Sequence, residues 1–130
     1  MAKAKWLIDT DILVDHLRGV SQALQFLEHI FEEGDCFISP ITVAELYAGV
    51  KEGKERHILD QFMHEFQVIP LNAQIAQQGG LYRRHYGKSH GIGLADALIA
   101  ALAEDLNATL TTLNKKHYPM LQNVHIPYHK

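Results

Sequence analysis

The chain has one cysteine, one tryptophan and four prolines among 130 residues, and what it lacks excludes whole classes of protein. With Cys36 alone, neither an internal disulfide nor a multi-thiolate metal site can form, which fits a reducing compartment. Basic charge is not in excess: twelve Lys and Arg stand against fifteen Asp and Glu, a net charge of −3. Any contact with phosphates must therefore come from local patches. The apolar stretch from Leu94 falls well short of the about 18 residues a membrane span needs, and the N-terminus shows no cleavable signal pattern. A soluble, cytoplasmic protein is expected. No G-x-S-x-G and no G-x-x-x-x-G-K-[ST] occurs, so neither a nucleophile elbow nor a phosphate-cradling loop is encoded. Repeats, linkers and low-complexity tracts are missing as well.

What is present is enough apolar material, 47%, for one globular domain spanning residues 1–130. Short apolar runs predict strands at Lys5 to Asp9, Cys36 to Ser39, Val68 and Ile69, Thr109 to Thr111, and Val124 and Ile126. Between them, helical spacing predicts a helix through Ile12, Leu13 and Leu17, and a second capped by Ser21 and closed by Gly34. Pro40 and Thr42 open a third, and Ile58, Leu59, Phe62, Met63 and Phe66 form the stripe of a fourth. Ile75, Gly79, Tyr82 and Tyr86 share one face of a helix from Ala73 to Tyr86. A glycine-rich loop over Gly87 to Gly93 then precedes a helix from Leu94. Strands alternating with helices predict an α/β fold, a three-layer sandwich with a central, mostly parallel sheet flanked by helices.

The helix from Leu94 to Ala103 is apolar on every face except at Asp96. Such a helix belongs inside a domain, and an ionised carboxylate there must protonate, pair or bind a cation. In open parallel sheets the ligand crevice lies beyond the carboxyl ends of the strands. Asp9 ends the first strand, Glu45 falls in the first turn after the second, Asp96 opens the apolar helix, and Asn114 follows the strand at Thr109. Each has an ordinary explanation. Asp9 fits a helix cap, Thr42 and Glu45 have capping-box spacing, Asp96 suits a helix dipole, and Asn114 suits a turn. Taken together, three carboxylates from distant segments converge on one edge, and converging like charges call for a cation. Oxygen donors select a hard ion, Mg²⁺ or Mn²⁺, and an ion so held suits phosphodiester hydrolysis by an activated water.

Asp9-Thr10-Asp11-Ile12-Leu13-Val14-Asp15, Val43-Ala44-Glu45-Leu46, Leu94-Ala95-Asp96-Ala97-Leu98-Ile99-Ala100 and Thr112-Leu113-Asn114 resemble, in order and spacing, the PIN domain nucleases, and most closely the VapC-like toxins of toxin–antitoxin pairs. The resemblance implies a Mg²⁺- or Mn²⁺-dependent endoribonuclease in which Asp9, Glu45 and Asp96 hold the metal, with Asn114 beside them. It places Thr10 and Thr112 as hydrogen-bonding neighbours of those ligands. It also implies a homodimer silenced by a cognate antitoxin whose tail covers the active-site groove. Many members carry aspartate where this chain has Asn114, which brings oxygen without charge; Asp11 either supplies part of that charge or caps the following helix, the reading preferred here.

Lys115 and Lys116, directly after Asn114, are the expected phosphate contacts for an RNA substrate, with Arg83, Arg84 and Lys88 as a second patch or a solvated helix face. The nine histidines are scattered and read as ordinary surface or core residues. Two further functions stay open: a catalytically weakened PIN fold that binds RNA or protein, and a receiver-like phosphoacceptor domain. The two consecutive helical stretches from Thr42 to Phe66 argue against the latter.

Overall fold

The computed structural model describes residues 4–130. In chain order the elements are β1 (Ala4–Ile8), α1 (Thr10–Leu17), α2 (Ser21–Glu33), β2 (Gly34–Ile38), α3 (Pro40–Gly49), α4 (Lys54–Phe62), β3 (Gln67–Val68), α5 (Ala73–His90), α6 (Leu94–Leu106), β4 (Thr109–Thr111) and β5 (Val124–His125). The strands form one sheet in the order β3-β2-β1-β4-β5, every pairing parallel. The expected sandwich is therefore present, with a sheet parallel throughout. Strand order reverses between β1 and β4. The first three strands build outward in one direction and the last two in the other, which opens a crevice at the carboxyl ends of β1 and β4.

Period-two alternation sorts the side chains into two cores. Leu7, Phe37 and Leu110 point to one face, where they pack with Ile75 of α5 and Ile99 to Ala103 of α6. Ile8, Cys36 and Ile38 point to the other, against Ile12 and Leu13 of α1, Leu27 and Ile30 of α2, Leu46 of α3 and Leu59 of α4. Gly79 lets α5 lie close on α6: a Cβ there would stand 2.6 Å from Leu98 Cδ2 and 3.1 Å from Leu98 Cα.

Local chemistry sets the helix ends, and at several of them the structure differs from the sequence reading. Ser39 caps α3 by accepting the Thr42 amide at 3.1 Å, with Pro40 at the first helical position. Glu45 is thus in the second turn of α3, and no capping box links it to Thr42. Ser21 is the first residue of α2 rather than its cap; Val20 precedes it and gives no side-chain bond. The expected loop from Gly87 is helical to His90. The Arg83 side chain lies over Gly87, where a Cβ would stand. The helix stops instead at Gly91, whose left-handed φ of 65° breaks it, leaving a short connection to α6.

Candidate metal and nuclease site

Asp9 is the residue at which β1 becomes α1. It caps that helix, its Oδ1 accepting the Thr10 amide at 2.8 Å, and its own amide donates to Thr111 of the neighbouring β4 at 2.9 Å. Its Oδ2 accepts hydrogen bonds from Thr112 Oγ1 at 2.8 Å and Tyr118 Oη at 3.0 Å. Only 7% of Asp9 is exposed. Burial, and then the charge of nearby Asp11, push its carboxyl up to about 7 against the pull of those donors.

Three other segments reach the same crevice. Helices α1 and α3 begin directly at the carboxyl ends of β1 and β2, and α6 runs back to feed β4, so the N-terminal ends of all three meet at the carboxyl edge of the sheet. Thr10 Oγ1 donates to Glu45 Oε1 at 2.7 Å; its single proton is then used, and the Thr42 hydroxyl at 3.0 Å completes the chain as donor to Thr10. Asp96 lies in the first turn of α6, at an N-terminus that has no side-chain cap. Asp9, Thr10, Asp11, Glu45, Asp96, Asn114 and His117 together line one open cavity of about 230 Å³. The convergence expected for Asp9, Glu45, Asp96 and Asn114 is therefore present, with Thr10, Asp11 and Thr112 among or beside them.

The surroundings of these groups correct three expectations. Asp96 is not sealed in an apolar interior, since 30% of its side chain is exposed to the cavity; the buried acid of the set is Asp9. Asp11 does not cap α1, a task that Asp9 performs. It sits inside the first turn, accepts from the Ile12 amide at 2.8 Å, and with Oδ2 accepts from the Leu113 amide at 3.0 Å. It thereby pins the chain leaving β4 to α1, and burial raises its carboxyl too. His117 is not an ordinary surface or core residue: its Nδ1 lies 3.1 Å from Asp96 Oδ2 and 2.9 Å from the Asn114 side-chain amide. One ring nitrogen serves both neighbours. When it donates to Asp96, the Asn114 group facing the same nitrogen must be the carbonyl oxygen, since one Nδ1–H cannot also face an amide donor.

Tyr118 is the residue that the sequence did not mark at all. It is buried in the core beside α6, and its hydroxyl lies 3.0 Å from Asp9 Oδ2 and 3.3 Å from Asp96 Oδ1. The only available signal was the turn that Asn114 begins, which carries His117 and Tyr118 back toward the acids.

Lys115 and Lys116 are exposed on that turn, flanking the cavity without lining it, and Arg83 and Arg84 are exposed along α5. Among the described residues, no group of three His, Cys, Asp or Glu side chains is already drawn in to metal-ligand spacing. The donor set nevertheless fits a hard cation. It is made of oxygens from three segments, and its buried acid, Asp9, has its carboxyl held above the ordinary range by burial and by the neighbouring charge of Asp11. Among the described residues no helix is long and apolar enough to cross a membrane.

A family model described as the PIN domain matches residues 6–120. Ribonuclease VapC19 of Mycobacterium tuberculosis is 40% identical over 124 residues, covering 94% of this chain and 98% of its own. Ribonuclease VapC10 of the same organism is 37% identical over 123 residues, 94% of this chain and 92% of its own. A solved toxin–antitoxin complex from Klebsiella pneumoniae contains a chain that superimposes with a TM-score of 0.81 at 29% identity, over 95% of this chain and 98% of that one.

Proposed function

The chain belongs to the PIN domain family, and from that premise we propose that it is a Mg²⁺- or Mn²⁺-dependent endoribonuclease, the toxin of a toxin–antitoxin pair. The observation that carries this reading is the meeting of Asp9, Glu45 and Asp96, from three separate segments, around one cavity at the carboxyl edge of the sheet. The ribonuclease names of its relatives and the toxin–antitoxin neighbour support the substrate and the partner.

In this reading residues 1–130 act as one nuclease domain. Asp9, Glu45 and Asp96 hold the cation, and Asn114 contributes an uncharged oxygen beside them. Bound there, a hard divalent ion supplies the positive charge that activates an attacking water and steadies the phosphate in the transition state. Thr10 fixes the Glu45 carboxylate, Thr112 fixes Asp9, and Asp11 holds the loop that carries Leu113 against α1. Lys115 and Lys116 meet phosphates on either side of the scissile bond, with Arg83 and Arg84 extending the contact along α5. A single-stranded loop suits so open a cavity, because its backbone can be splayed across the edge. The protein works in the cytoplasm as a homodimer, with an antitoxin as its inhibitor.

The deciding experiment incubates the purified protein with single-stranded RNA in chelator, in Mg²⁺ and in Mn²⁺, beside Asp9→Asn, Glu45→Gln and Asp96→Asn. Metal-dependent cleavage that falls to background in the variants is expected. Undiminished cleavage by Asp9→Asn and Asp96→Asn together would overturn the assignment.

A further inference from the structure

The proposed metal site has two acids whose relative position neither strand nor helix settles. Asp9 belongs to the β1–α1 junction and Asp96 to the first turn of α6, and among the described residues no backbone hydrogen bond joins the two segments. Both present carboxyl oxygens to one cavity, and like charges there, once ionised, would move apart if left to themselves. We propose that the Tyr118 hydroxyl is a positioning group that clamps Asp9 to Asp96 and sets the spacing at which the pair receives a divalent cation, an inference that rests on the metal-dependent reading above.

Three features carry it. Among the described residues the hydroxyl is the only side-chain group hydrogen-bonded to both acids, at 3.0 Å from Asp9 Oδ2 and 3.3 Å from Asp96 Oδ1. Its single proton bridges the two oxygens by alternating between them, which keeps both carboxylates turned toward one point. The residue that bears it is 2% exposed and belongs to the buried core cluster that also holds Ile99, Leu102 and Leu110, so the hydroxyl cannot swing away as a surface tyrosine would. The neighbouring residue completes the arrangement, because His117 meets the other Asp96 oxygen at 3.1 Å. Asp96 is thus held on both oxygens by consecutive residues of one turn, while Asp9, itself lining the cavity, accepts through Oδ1 only the Thr10 amide among the described residues. Such outer partners commonly govern metal affinity as strongly as packing governs stability.

The test uses Tyr118→Phe, which keeps the buried ring and deletes the hydroxyl. Mn²⁺ binding is titrated by electron paramagnetic resonance for the native protein, Tyr118→Phe, Asp96→Asn and Tyr128→Phe. The last removes another buried tyrosine hydroxyl that donates to a carboxylate, that of Asp15 at 2.7 Å, outside the cavity. Circular dichroism melts run alongside. The clamp predicts Mn²⁺ affinity weaker by about tenfold or more in Tyr118→Phe, lost in Asp96→Asn and unchanged in Tyr128→Phe. Affinity unchanged or tighter in Tyr118→Phe, while Asp96→Asn loses binding, overturns the clamp and leaves the metal site standing; equal losses in the two tyrosine variants overturn it as well, as a general effect of destabilisation. A native protein that binds no Mn²⁺, or an Asp96→Asn variant that binds as well as native, overturns the metal-dependent reading and the clamp with it.

Discussion

The Thr112 hydroxyl donates to Asp9 Oδ2 across 2.8 Å, joining side chain to side chain the residues that immediately follow the two central strands. Thr112 is fully buried, and its oxygen also accepts the Asn114 amide at 3.1 Å. Thr112→Val conserves shape but removes both bonds, leaving a buried carboxyl and a backbone amide each short of a partner. A loss of about 1–3 kcal/mol is expected, with Thr112→Ser close to native. Urea denaturation measures it, and a valine variant as stable as the native protein would contradict the role given to this hydroxyl.

Asp9 also makes stability depend on pH, in the direction opposite to a salt-bridged aspartate. Its carboxyl rises from 3.8 to about 7 on folding, through burial first and the Asp11 charge second. Between those values the folded protein holds a proton that the unfolded chain has released. Folding stability of the metal-free protein therefore falls as pH rises through that window, by a few kcal/mol in all. Asp11, raised by its own burial, adds in the same direction. Asp9→Asn should flatten the dependence and raise Tm on the alkaline side in the presence of chelator. A native Tm that climbs with pH across the window would show that Asp9 is not held in this way.

The elements were legible because periodicity survives in short segments. Leu7 and Ile8, like Cys36, Phe37 and Ile38, divide between the two cores as their alternation requires. The ordering of Asp9, Glu45 and Asp96 along the chain also foretold their convergence, since parallel topology sends those positions to one edge. What could not be read was the cost borne by each acid. Asp96 looked the most deeply buried because its neighbours in sequence are apolar, yet it sits where α6 opens on the cavity, while Asp9, at the end of an apolar run and followed by polar Thr10 and Asp11, is enclosed by Thr112 and Tyr118 from across the fold. His117 and Tyr118 escaped notice for the same reason. Their partners lie 21 and 22 residues upstream at Asp96, and an irregular turn has no period to read. Gly87 misled in the opposite sense, because a single glycine does not end a helix, and α5 runs through it to the left-handed Gly91.

Gly79 and Gly80 stand side by side on α5 and should respond oppositely to the same change. A Cβ on Gly79 runs into Leu98 on α6, including its backbone at 3.1 Å, whereas one on Gly80 meets nothing within 4 Å. Gly79→Ala should cost about 1–3 kcal/mol by forcing the helices apart. Gly80→Ala should instead gain roughly 0.5–1 kcal/mol from helix propensity alone. Thermal melts of the two variants decide it, and equal effects would mean that α5 does not rest on α6 through Gly79.

Lys115 and Lys116 offer a way to separate holding RNA from cutting it. Both are exposed on the turn beside Asn114, yet neither lines the cavity that Asp9, Glu45 and Asp96 share. Their contribution should be to phosphate neutralisation, which releases counterions and is read in the salt dependence of binding. Each phosphate contact on a single strand adds about 0.7 to the slope of log affinity against log salt. The double variant Lys115→Ala, Lys116→Ala should therefore bind RNA more weakly at low salt with a slope shallower by about 1.4, while Mn²⁺ affinity stays native because no metal-facing oxygen has moved. Fluorescence anisotropy with a labelled RNA, repeated over a salt series on a metal-free preparation, gives the slope without cleavage. An unchanged slope would remove these lysines from the RNA path and leave Arg83 and Arg84 on α5 as the next pair to substitute.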